Sequence, residues 1–536
     1  MTEWWRGGVI YQIYPRSFLD TTGNGVGDLP GIERRLDYVA ELGVDAIWLS
    51  PFFPSPGKDH GYDVSDYCDI DPDLGTLRDF DRLVGRAHDL GLKIVIDQVY
   101  SHCSDQHAWF QESRMSRDNP RGEWFVWADP KPDGSPPNNW QSVFGQSAWR
   151  WEPRRRQYYL HNFLPEQPDL NLRNPAVQDA ILDVGRFWLD RGVDGFRLDV
   201  ANFYMHDPAL RDNPARDDLD APPYKPYEMQ RHLYDRSQPE TLDFVARIRA
   251  LLDSYPDRFS VAEIASHDPI GRMVEYIDGP NRYHTAYSFI LLDTAGSASF
   301  IRNTLEETRR RGPTAWPSWA LSNHDVERAA SRWGGREPDP ALARILIAMM
   351  TCLWGTSFLY QGEELGLPHA EVPFERLCDP EAREFWPALK GRDGARTPMP
   401  WSSSATYGGF STADPWLPVD PRHIRRAVDV QDSDPGSVLT FTRAFLAWRH
   451  GESRLKSGDI AFVDTPEPVL AFRRFSPDGP PLVCVFNLGL EPVTVDLGQA
   501  GPLRTLDMVP GNNGVINDAG TIALDGYAMM IAEEQA

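Results

Sequence analysis

An arginine and an aspartate stand two residues apart in the segment GFRLD, residues 195–199, which has the pattern of a buried strand and its end. Side chains two apart on a strand point to the same side, so Arg197 is expected to lie beside Asp199. A neighbouring guanidinium favours the ionised carboxylate and lowers its pKa. A carboxylate that stays charged in a partly dry pocket can attack an electrophilic carbon. An ordinary surface ion pair has the same local pattern, so the assignment depends on the other chemical residues.

Polar residues also follow other apolar runs of the chain. Asp97 and His102 stand at the end of one run, Glu263 ends another, and His324 and Asp325 follow a third. Each of them alone could be a helix cap or a turn residue. Their recurrence at the same point of successive runs favours one shared site.

The elements that must position these residues alternate between strand and helix patterns. Helical patterns occupy, for example, residues 31–42 and 77–90. Alternating strands and helices with near-continuous apolar strands indicate a parallel sheet, and eight such units indicate an α/β fold, a (β/α)₈ TIM barrel. Catalytic groups of such a barrel lie at the C-terminal ends of its strands. The predicted strands are residues 8–14, 45–49, 93–99, 195–200, 259–264, 286–292, 319–322 and 357–360.

The spacing of the strand patterns predicts further domains. No clear β/α unit occurs in residues 104–170, and so long an interruption indicates an inserted domain. A second irregular stretch, about 202–240, has the composition of a lid. Past residue 455 short alternating segments predict a C-terminal antiparallel β-domain. The predicted division is therefore 1–103 and 171–455 for the barrel, 104–170 for the insertion and 456–536 for the C-terminal domain.

Two carboxylates in different environments are what glycoside cleavage requires. Asp199, beside Arg197, suits the ionised group that attacks or stabilises the sugar carbon. Glu263, flanked by Ala262 and Ile264 and without a cation near it in the sequence, suits the protonated group with a raised pKa. This reasoning does not specify the sugar.

Composition excludes several classes of protein. The chain of 536 residues has a formal net charge of −24, which argues against nucleic acid as a partner. It has 5 cysteines, an odd number, and no CxxC spacing, so a zinc site or a disulfide framework is not expected and a reducing compartment is. No signal-peptide pattern or long apolar stretch occurs, which predicts a cytoplasmic protein with no membrane contact.

Several motifs resemble those of one enzyme family. Residues 97–102, 195–199 and 323–325 together with Glu263 resemble, in order and type, the four signature regions of the α-amylase family (glycoside hydrolase family 13) of retaining glycoside hydrolases and transglycosylases. Residues 167–171 (QPDLN) resemble the marker of its oligo-1,6-glucosidase and α-glucosidase branch. Similarity also covers the segments YQIYPRSF, GDLPGI and GRDGARTPMPW. The resemblance implies a barrel with a domain inserted after strand three and a C-terminal β-domain.

The resemblance implies a role for each catalytic carboxylate. Carried over by position, Asp199 is the nucleophile, Glu263 the acid/base, and Asp325 the group that stabilises the transition state through the sugar hydroxyls. Val200, which follows the nucleophile, tends in this branch to accompany tolerance of α-1,6 linkages. The segment 202–240 would shape the side of the site that takes the acceptor.

The resemblance also implies a glucose pocket. Tyr62 would form the platform beneath the first glucose, while Asp59 and Arg396 would hold its far hydroxyls and close the pocket, so that only a terminal glucose fits. Phe144 and Phe163 would line the same pocket, although they could equally belong to the core of the inserted domain. The other residues implied for the pocket, which would hold sugar hydroxyls or Asp199 or line the wall, are His102, Gln167, Arg197 and His324.

Metal binding is expected to be structural at most, since the chemistry needs no cofactor. Ser101 stands where the amylases have an asparagine that helps bind calcium, so that calcium site is expected to be absent. The loop at residues 20–28 resembles the cation loop of the branch, with oxygen ligands from alternate positions. A Ca²⁺ or Mg²⁺ ion and a metal-free turn both remain open. The candidate ligands are Asp20, Thr22, Asn24, Val26 and Asp28.

The predicted function is that of an exo-acting retaining α-glucosidase. It would release glucose from the non-reducing end of short α-glucosides such as maltose, isomaltose or sucrose, through a glucosyl ester on Asp199. A transglucosylase or a disaccharide isomerase would use the same chemistry with a different acceptor, and a non-catalytic sugar-binding relative is a more remote alternative. The expected partner is a small oligosaccharide or glucoside, and the chain is expected to be a monomer or a homodimer.

Overall fold

A parallel sheet carries the strand ends at which the chemical residues were predicted. The computed structural model describes residues 3–477, 479–498, 501–517 and 521–535. Within these residues eight parallel strands form one sheet that curls into an almost closed barrel. The predicted (β/α)₈ architecture is therefore confirmed. In chain order the barrel strands are Val9–Ile13, Ala46–Leu49, Lys93–Gln98, Gly195–Leu198, Phe259–Ile264, Thr285–Ser288, Ser318–Ala320 and Thr356–Tyr360.

The barrel strands follow one another in register around the sheet. Asp97 pairs with Arg197 across the third and fourth strands, and Arg197 pairs with Val261 across the fourth and fifth. No ladder joins the sixth and seventh strands in the described structure, but the hydroxyls of Thr285 and Ser318 bond across this seam at 2.7 Å. The register brings residues about a hundred positions apart into contact.

Close packing of the fourth and fifth strands requires a glycine. A Cβ atom on Gly195 would lie 2.8 Å from the carbonyl oxygen of Phe259, which is closer than real side chains approach. Glycine at the start of GFRLD therefore allows the strand that carries Arg197 to lie against the strand that carries Glu263.

Amphipathic helices cover the outside of the barrel. The predicted helix at 31–42 is two helices, because the backbone of Arg35 leaves the helical region at φ −109° and ψ 9°. The predicted strand at 286–292 ends at Ser288, where a 3₁₀ turn begins. The helices of the barrel are Leu29–Arg34, Leu36–Glu41, Leu77–Asp89, Pro175–Asp190, Thr241–Asp253, Pro269–Ile277, Ala298–Arg311, Ala329–Gly334, Pro340–Cys352 and Val438–His450. Shorter helices are Ala108–Ser113, Pro380–Phe385, Asp393–Arg396, Pro421–Ile424, Val428–Asp432 and Ser453–Lys456.

The inserted segment after the third strand has a small sheet of its own. As far as the structure is described, its strands are Trp127–Ala128, Trp149–Glu152 and Gln157–Leu160, with the last in the centre. A buried cluster that includes Trp140 and Trp149 packs on it. A bridge between His102 and Asp169 ties the end of this segment to the end of the third barrel strand. The insertion therefore reaches the mouth of the barrel.

Two antiparallel sheets follow the last barrel helix. In the described residues the larger one has the order Asp459–Val463, Val469–Phe475, Leu482–Asn487, Met529–Glu534 and Leu503–Thr505, and the smaller one Val493–Val495, Ile522–Leu524 and Val515–Ile516. Buried Arg474 donates to the carbonyl oxygens of Cys352 and Leu353, which fixes the larger sheet to the barrel. The exact domain boundaries stay predictions. No helix in the described ranges has the length and apolarity needed to cross a bilayer.

Candidate active site

Arg197 joins three carboxylates at the mouth of the barrel. Its Nη1 donates to Asp97 at 2.8 Å and to Asp199 at 2.6 Å, and its Nη2 lies 2.6 Å from Glu263. The guanidinium is fully buried and also donates to the hydroxyl of Tyr287 at 3.0 and 3.1 Å. Three neighbouring strands thus place three carboxylates in contact with one guanidinium.

Two expectations about this arginine are wrong. Glu263 does have a cation beside it, because the parallel register places Arg197 of the neighbouring strand within reach, which a local view of the sequence cannot show. Arg197 also does not keep the pKa of Asp199 low. Burial raises the pKa of Asp199 to about 7, and although Arg197 opposes this, the charge of Asp97 adds to it. One guanidinium cannot hold three buried acids ionised.

The pKa values of the two candidate catalytic acids still differ in the useful order. Burial raises the pKa of Glu263 to about 8, with the charge of Arg197 opposing and that of Asp199 adding to the rise. Asp199, with a pKa of about 7, therefore loses its proton before Glu263 as the pH rises. An ionised Asp199 beside a protonated Glu263 is the pair of states that glycoside cleavage needs.

The backbone directly after Asp199 is strained. Val200 has φ 36° and ψ 50°, in the left-handed region that a β-branched residue rarely adopts. In this conformation its N–H donates to Glu263 Oε2 at 3.1 Å. Strain of this kind costs on the order of 1–3 kcal/mol and persists where the surrounding structure holds it. Here it directs a backbone donor at a candidate catalytic carboxylate.

Asp325 lies among cationic and polar neighbours. Arg396 donates to it at 2.7 Å, His324 Nε2 lies 3.2 Å away, and Arg392 Nη1 lies 3.4 Å away. Burial alone would raise the pKa of Asp325, but His324 and the two arginines hold it well below its usual range. Asp325 is therefore charged at neutral pH, as a group that stabilises a positive sugar ring must be.

A cavity of about 230 Å³ unites the three catalytic candidates. Four predicted site residues, Gln167, Arg197, His324 and Arg396, lie behind the wall and support those that form it. The predicted residues that form the wall are Asp59, Tyr62, His102, Phe144, Phe163, Asp199, Glu263 and Asp325.

The aromatic ring of Tyr62 forms a flat part of this wall, and its neighbours hold it in place. Its ring stacks on His324 with centroids 5.4 Å apart and planes 3° apart, and its hydroxyl lies 2.5 Å from His324 Nε2. His102 Nε2 lies 3.1 Å from the carbonyl oxygen of Tyr62. Gln167 Nε2 lies 3.2 Å from His102 Nε2 and donates to Asp59 at 3.3 Å. The aromatic platform and the polar groups around it are thus connected.

The arginine that pairs with Asp59 is Arg392, which the sequence analysis missed. Arg392 donates to Asp59 at 2.9 Å and to Asp379 at 2.8 Å, and it lines the cavity. Arg396, predicted for this place, is fully buried and donates to His324 and Asp325. Both arginines belong to the segment GRDGARTPMPW, and the start of the short helix Asp393–Arg396 decides which one faces the cavity.

Other residues of the wall also escaped the sequence analysis. Four of them belong to the irregular segment 202–240, whose fold has no simple sequence pattern. Lys225 of this segment forms an ion pair with Glu381, which joins it to the loop after the eighth strand. Besides Val200, which was considered only for linkage preference, the missed residues of the wall are Val143, Phe203, Lys225, Tyr227, Arg236, Ala265, Phe289, Glu381 and Arg392.

The loop proposed to bind a cation closes through its own hydrogen bonds. Asp20 accepts from the amides of Thr22, Gly23 and Gly25 at 2.9, 2.7 and 2.8 Å, and Asn24 accepts from Val26 at 2.9 Å. Asp28 caps the helix Leu29–Arg34. No three His, Cys, Asp or Glu side chains form a metal-binding group anywhere in the described ranges. Backbone amides already occupy the carboxylate oxygens of Asp20 that a cation would use, and a cation here stays a prediction.

Treatment with a chelator is expected to leave the Tm unchanged, because the hydrogen bonds of the loop fix its shape without a metal. Thermal unfolding of the protein before and after EDTA treatment measures this. A lower Tm that added Ca²⁺ or Mg²⁺ restores would instead place a structural cation in the protein.

Comparison with known proteins agrees with the barrel fold. A family model described as alpha amylase, catalytic domain, matches residues 12–458. The chain is 51% identical to a probable alpha-glucosidase of Rhizobium meliloti (strain 1021) over 95% of this chain and 93% of the relative. Among solved structures it is similar to the alpha-glucosyl transfer enzyme XgtA, with a TM-score of 0.97, 54% identity and full coverage of both chains. It is also similar to the trehalulose synthase MutB from Pseudomonas mesoacidophila MX-45, with a TM-score of 0.88, 31% identity and full coverage of both.

These matches span nearly the whole chain, at identities at which the fold and the family are shared. The chain belongs to the α-amylase family. The resemblance found from the sequence motifs is thereby confirmed.

Proposed function

We propose that the protein is an exo-acting retaining α-glucosidase that releases glucose from the non-reducing end of short α-glucosides. The observation that carries this proposal is the placement of Asp199, Glu263 and Asp325 in one small cavity, with Asp199 and Glu263 sharing Arg197. The size of the cavity, about 230 Å³, suits a single sugar ring with part of its neighbour. The ion pair between Asp59 and Arg392 supports exo action, because it joins two parts of the cavity wall at that point.

In the first step, the carboxylate of Asp199 attacks C1 of the bound glucose. The bond between C1 and the glycosidic oxygen breaks, and Glu263 gives its proton to that oxygen. The product is a glucosyl ester on Asp199. Positive charge develops on the ring in the transition state, where charged Asp325 stabilises it through the sugar hydroxyls.

In the second step, Glu263 is ionised and takes a proton from a water molecule. The water oxygen attacks C1, the ester bond breaks, and the carboxylate of Asp199 is restored. Two displacements at C1 return the α configuration. Tyr62 beneath the ring and His102 beside it would hold the glucose in place through both steps.

The test follows the anomeric form of the product. Proton NMR of maltose, isomaltose or sucrose with the protein is expected to show α-glucose first, before mutarotation produces the β form. Initial rates across α-1,1, 1,2, 1,3, 1,4 and 1,6 disaccharides would establish the linkage preference, for which Val200 favours tolerance of α-1,6. Release of β-glucose first, or no release from any of these sugars, would contradict the proposal.

Transglucosylation is the second candidate, with the same glucosyl ester but an alcohol or sugar as acceptor. Phe203, Tyr227, Ala265 and Phe289 make one side of the cavity wall apolar, which favours an organic acceptor over water. The name of XgtA as an alpha-glucosyl transfer enzyme points the same way. A product assay on maltose with and without an added alcohol separates the two activities, since transfer yields an alkyl α-glucoside.

The setting of the reaction is proposed on composition alone. A net charge of −24 and 5 cysteines that form no disulfide in the structure suit a cytoplasmic protein without a nucleic-acid partner. Size-exclusion chromatography with light scattering would distinguish a monomer from a homodimer.

A further inference from the structure

One charged side chain of the cavity wall forms no ion pair with any described residue. Arg236 lines the cavity and is only 6% exposed. Within the described residues, no hydrogen bond or ion pair reaches its guanidinium. The other charged groups of the wall have partners: Asp59 pairs with Arg392, Asp199 and Glu263 with Arg197, Asp325 with Arg396, and Lys225 with Glu381.

Two aromatic rings hold Arg236 in position. Its guanidinium carbon lies 5.1 Å from the ring centre of Phe203 and 5.6 Å from that of Tyr227. The Tyr227 ring stacks on His232 with centroids 3.8 Å apart. His232 in turn bonds to Asp235 at 2.5 Å and to the carbonyl oxygen of Tyr227 at 2.9 Å. The neighbouring acid Asp235 bonds directly to His232, while Arg236 affects it only through its charge, without an ion-pair contact.

A guanidinium that faces the cavity without a protein acceptor can bind oxygen acceptors of a ligand. Arginine has five N–H donors and no acceptor, so its hydrogen bonds must be made to oxygen atoms of another group. The planar fork matches the two oxygens of a carboxylate. The rings of Phe203 and Tyr227 lie against Arg236 in the wall, so they offer a surface for an apolar or aromatic body. One cation close to acidic groups suits a single negative charge better than a phosphate dianion.

We propose that Arg236 forms an anion subsite on the acceptor side, which selects α-glucosides and acceptors whose non-glucose part carries a carboxylate on an apolar or aromatic body. This inference rests on the proposed glucosidase function and deepens it. The carboxylate takes no part in bond breaking. It holds the leaving group or acceptor so that its oxygen lies near Glu263.

The test compares two isosteric substrates, 4-carboxyphenyl α-glucoside and 4-carbamoylphenyl α-glucoside. The ratio of their kcat/KM values is measured for the wild type, Arg236→Gln and Arg236→Lys at neutral pH. Arg236→Gln is expected to lower the ratio by about 10- to 100-fold, as the loss of a charge-assisted hydrogen bond predicts. The ratio for Arg236→Lys is expected to lie between those of the wild type and Arg236→Gln, because lysine keeps the charge but lacks the planar fork of N–H donors. The different reactivities of the two phenols cancel when ratios are compared.

A matched control is Arg336→Gln, which removes an arginine that pairs with Glu371 and is 72% exposed. It is expected to leave the ratio unchanged. An equal ratio in the wild type and Arg236→Gln would overturn the inference, since a merely structural arginine affects both substrates alike. If the wild type hydrolyses neither of the two glucosides and no maltose, the result would instead contradict the proposed function.

A second measurement needs neither turnover nor a variant. Isothermal titration of the wild type with 4-hydroxybenzoate and with 4-hydroxybenzamide compares the charged and neutral forms directly. At least about tenfold tighter binding of the benzoate would support the subsite. Equal affinities would overturn it, whatever the variants do.

Discussion

Asp199→Ala is expected to lower kcat for release of glucose from maltose by at least about 10⁴-fold, as is typical for the loss of a catalytic nucleophile. Asp199 lies in the cavity wall, and no other carboxylate can take its place on Arg197 without moving a strand, because Asp97 and Glu263 are fixed on the neighbouring ones. Steady-state kinetics on maltose measures the loss.

Rescue by azide makes the assignment of Asp199 specific. In Asp199→Ala a small anion can enter the space of the carboxylate and attack C1 from the same face. We therefore expect azide to restore turnover of 4-nitrophenyl α-glucoside and to yield the β-glucosyl azide. Asp464→Ala, which changes an aspartate whose side chain is 93% exposed, is the control and should act as the wild type. Normal turnover in Asp199→Ala would refute the role of Asp199.

Glu263→Gln is expected to lower kcat/KM for maltose by about 10²- to 10⁴-fold, the usual contribution of a general acid. With 4-nitrophenyl α-glucoside the first step should survive better, because nitrophenolate leaves without protonation. The second step still lacks its base, so the ester on Asp199 should accumulate. Stopped-flow absorbance is then expected to show a burst of about one nitrophenolate per active site, followed by slow turnover.

The pH profile supplies an independent check on Glu263. For the wild type, kcat/KM is expected to fall below a pH of about 7 as Asp199 gains a proton, and to fall above about 8 as Glu263 loses one. These apparent values belong to the cluster on Arg197, because its acids titrate together. In Glu263→Gln, the rate of the burst phase should still fall at acid pH as Asp199 gains a proton. It should no longer fall at alkaline pH, because the group that loses a proton there is absent. An alkaline limb that persists in the variant would assign the acid to another residue.

The barrel strands and the catalytic acids could be predicted because their signals are local. The strand Phe259–Ile264 is a mostly apolar run that carries Glu263 near its end, and the structure has the predicted bounds. The prediction for 286–292 was too long, since apolar Phe289–Leu291 continue the pattern while the backbone turns into a 3₁₀ helix. Hydrophobicity alone does not distinguish a buried strand from a buried turn.

The electrostatics of the site could not be predicted in the same way. A sequence places Arg197 two residues from Asp199 and 66 positions from Glu263, yet the side chain serves both at 2.6 Å. Only the register of neighbouring parallel strands decides this. The choice between Arg392 and Arg396 and the whole wall from residues 202–240 depend likewise on loop geometry, for which the sequence has no periodic signal.

Because the acid cluster is buried, the pH of greatest stability differs from the pH of greatest activity. Glu263 has a pKa of about 8 in the folded protein against 4.5 as its ordinary value, so between these values the folded chain binds more protons than the unfolded one. The contribution of Glu263 to the free energy of unfolding is fully present below about pH 4.5. It is lost as the pH rises towards 8. At neutral pH the loss is on the order of 3 kcal/mol.

Asp325 and Asp379 have the opposite effect on the pH dependence of stability. Burial is outweighed by cationic neighbours, which hold both pKa values well below the usual range, so their contribution is lost only as the pH falls below 3.8. The fold should therefore be most robust in mildly acidic solution, where Asp199 is protonated and turnover is poor. Selection for heat resistance alone would favour loss of the Glu263 carboxyl, and such a screen has to be coupled to an activity assay.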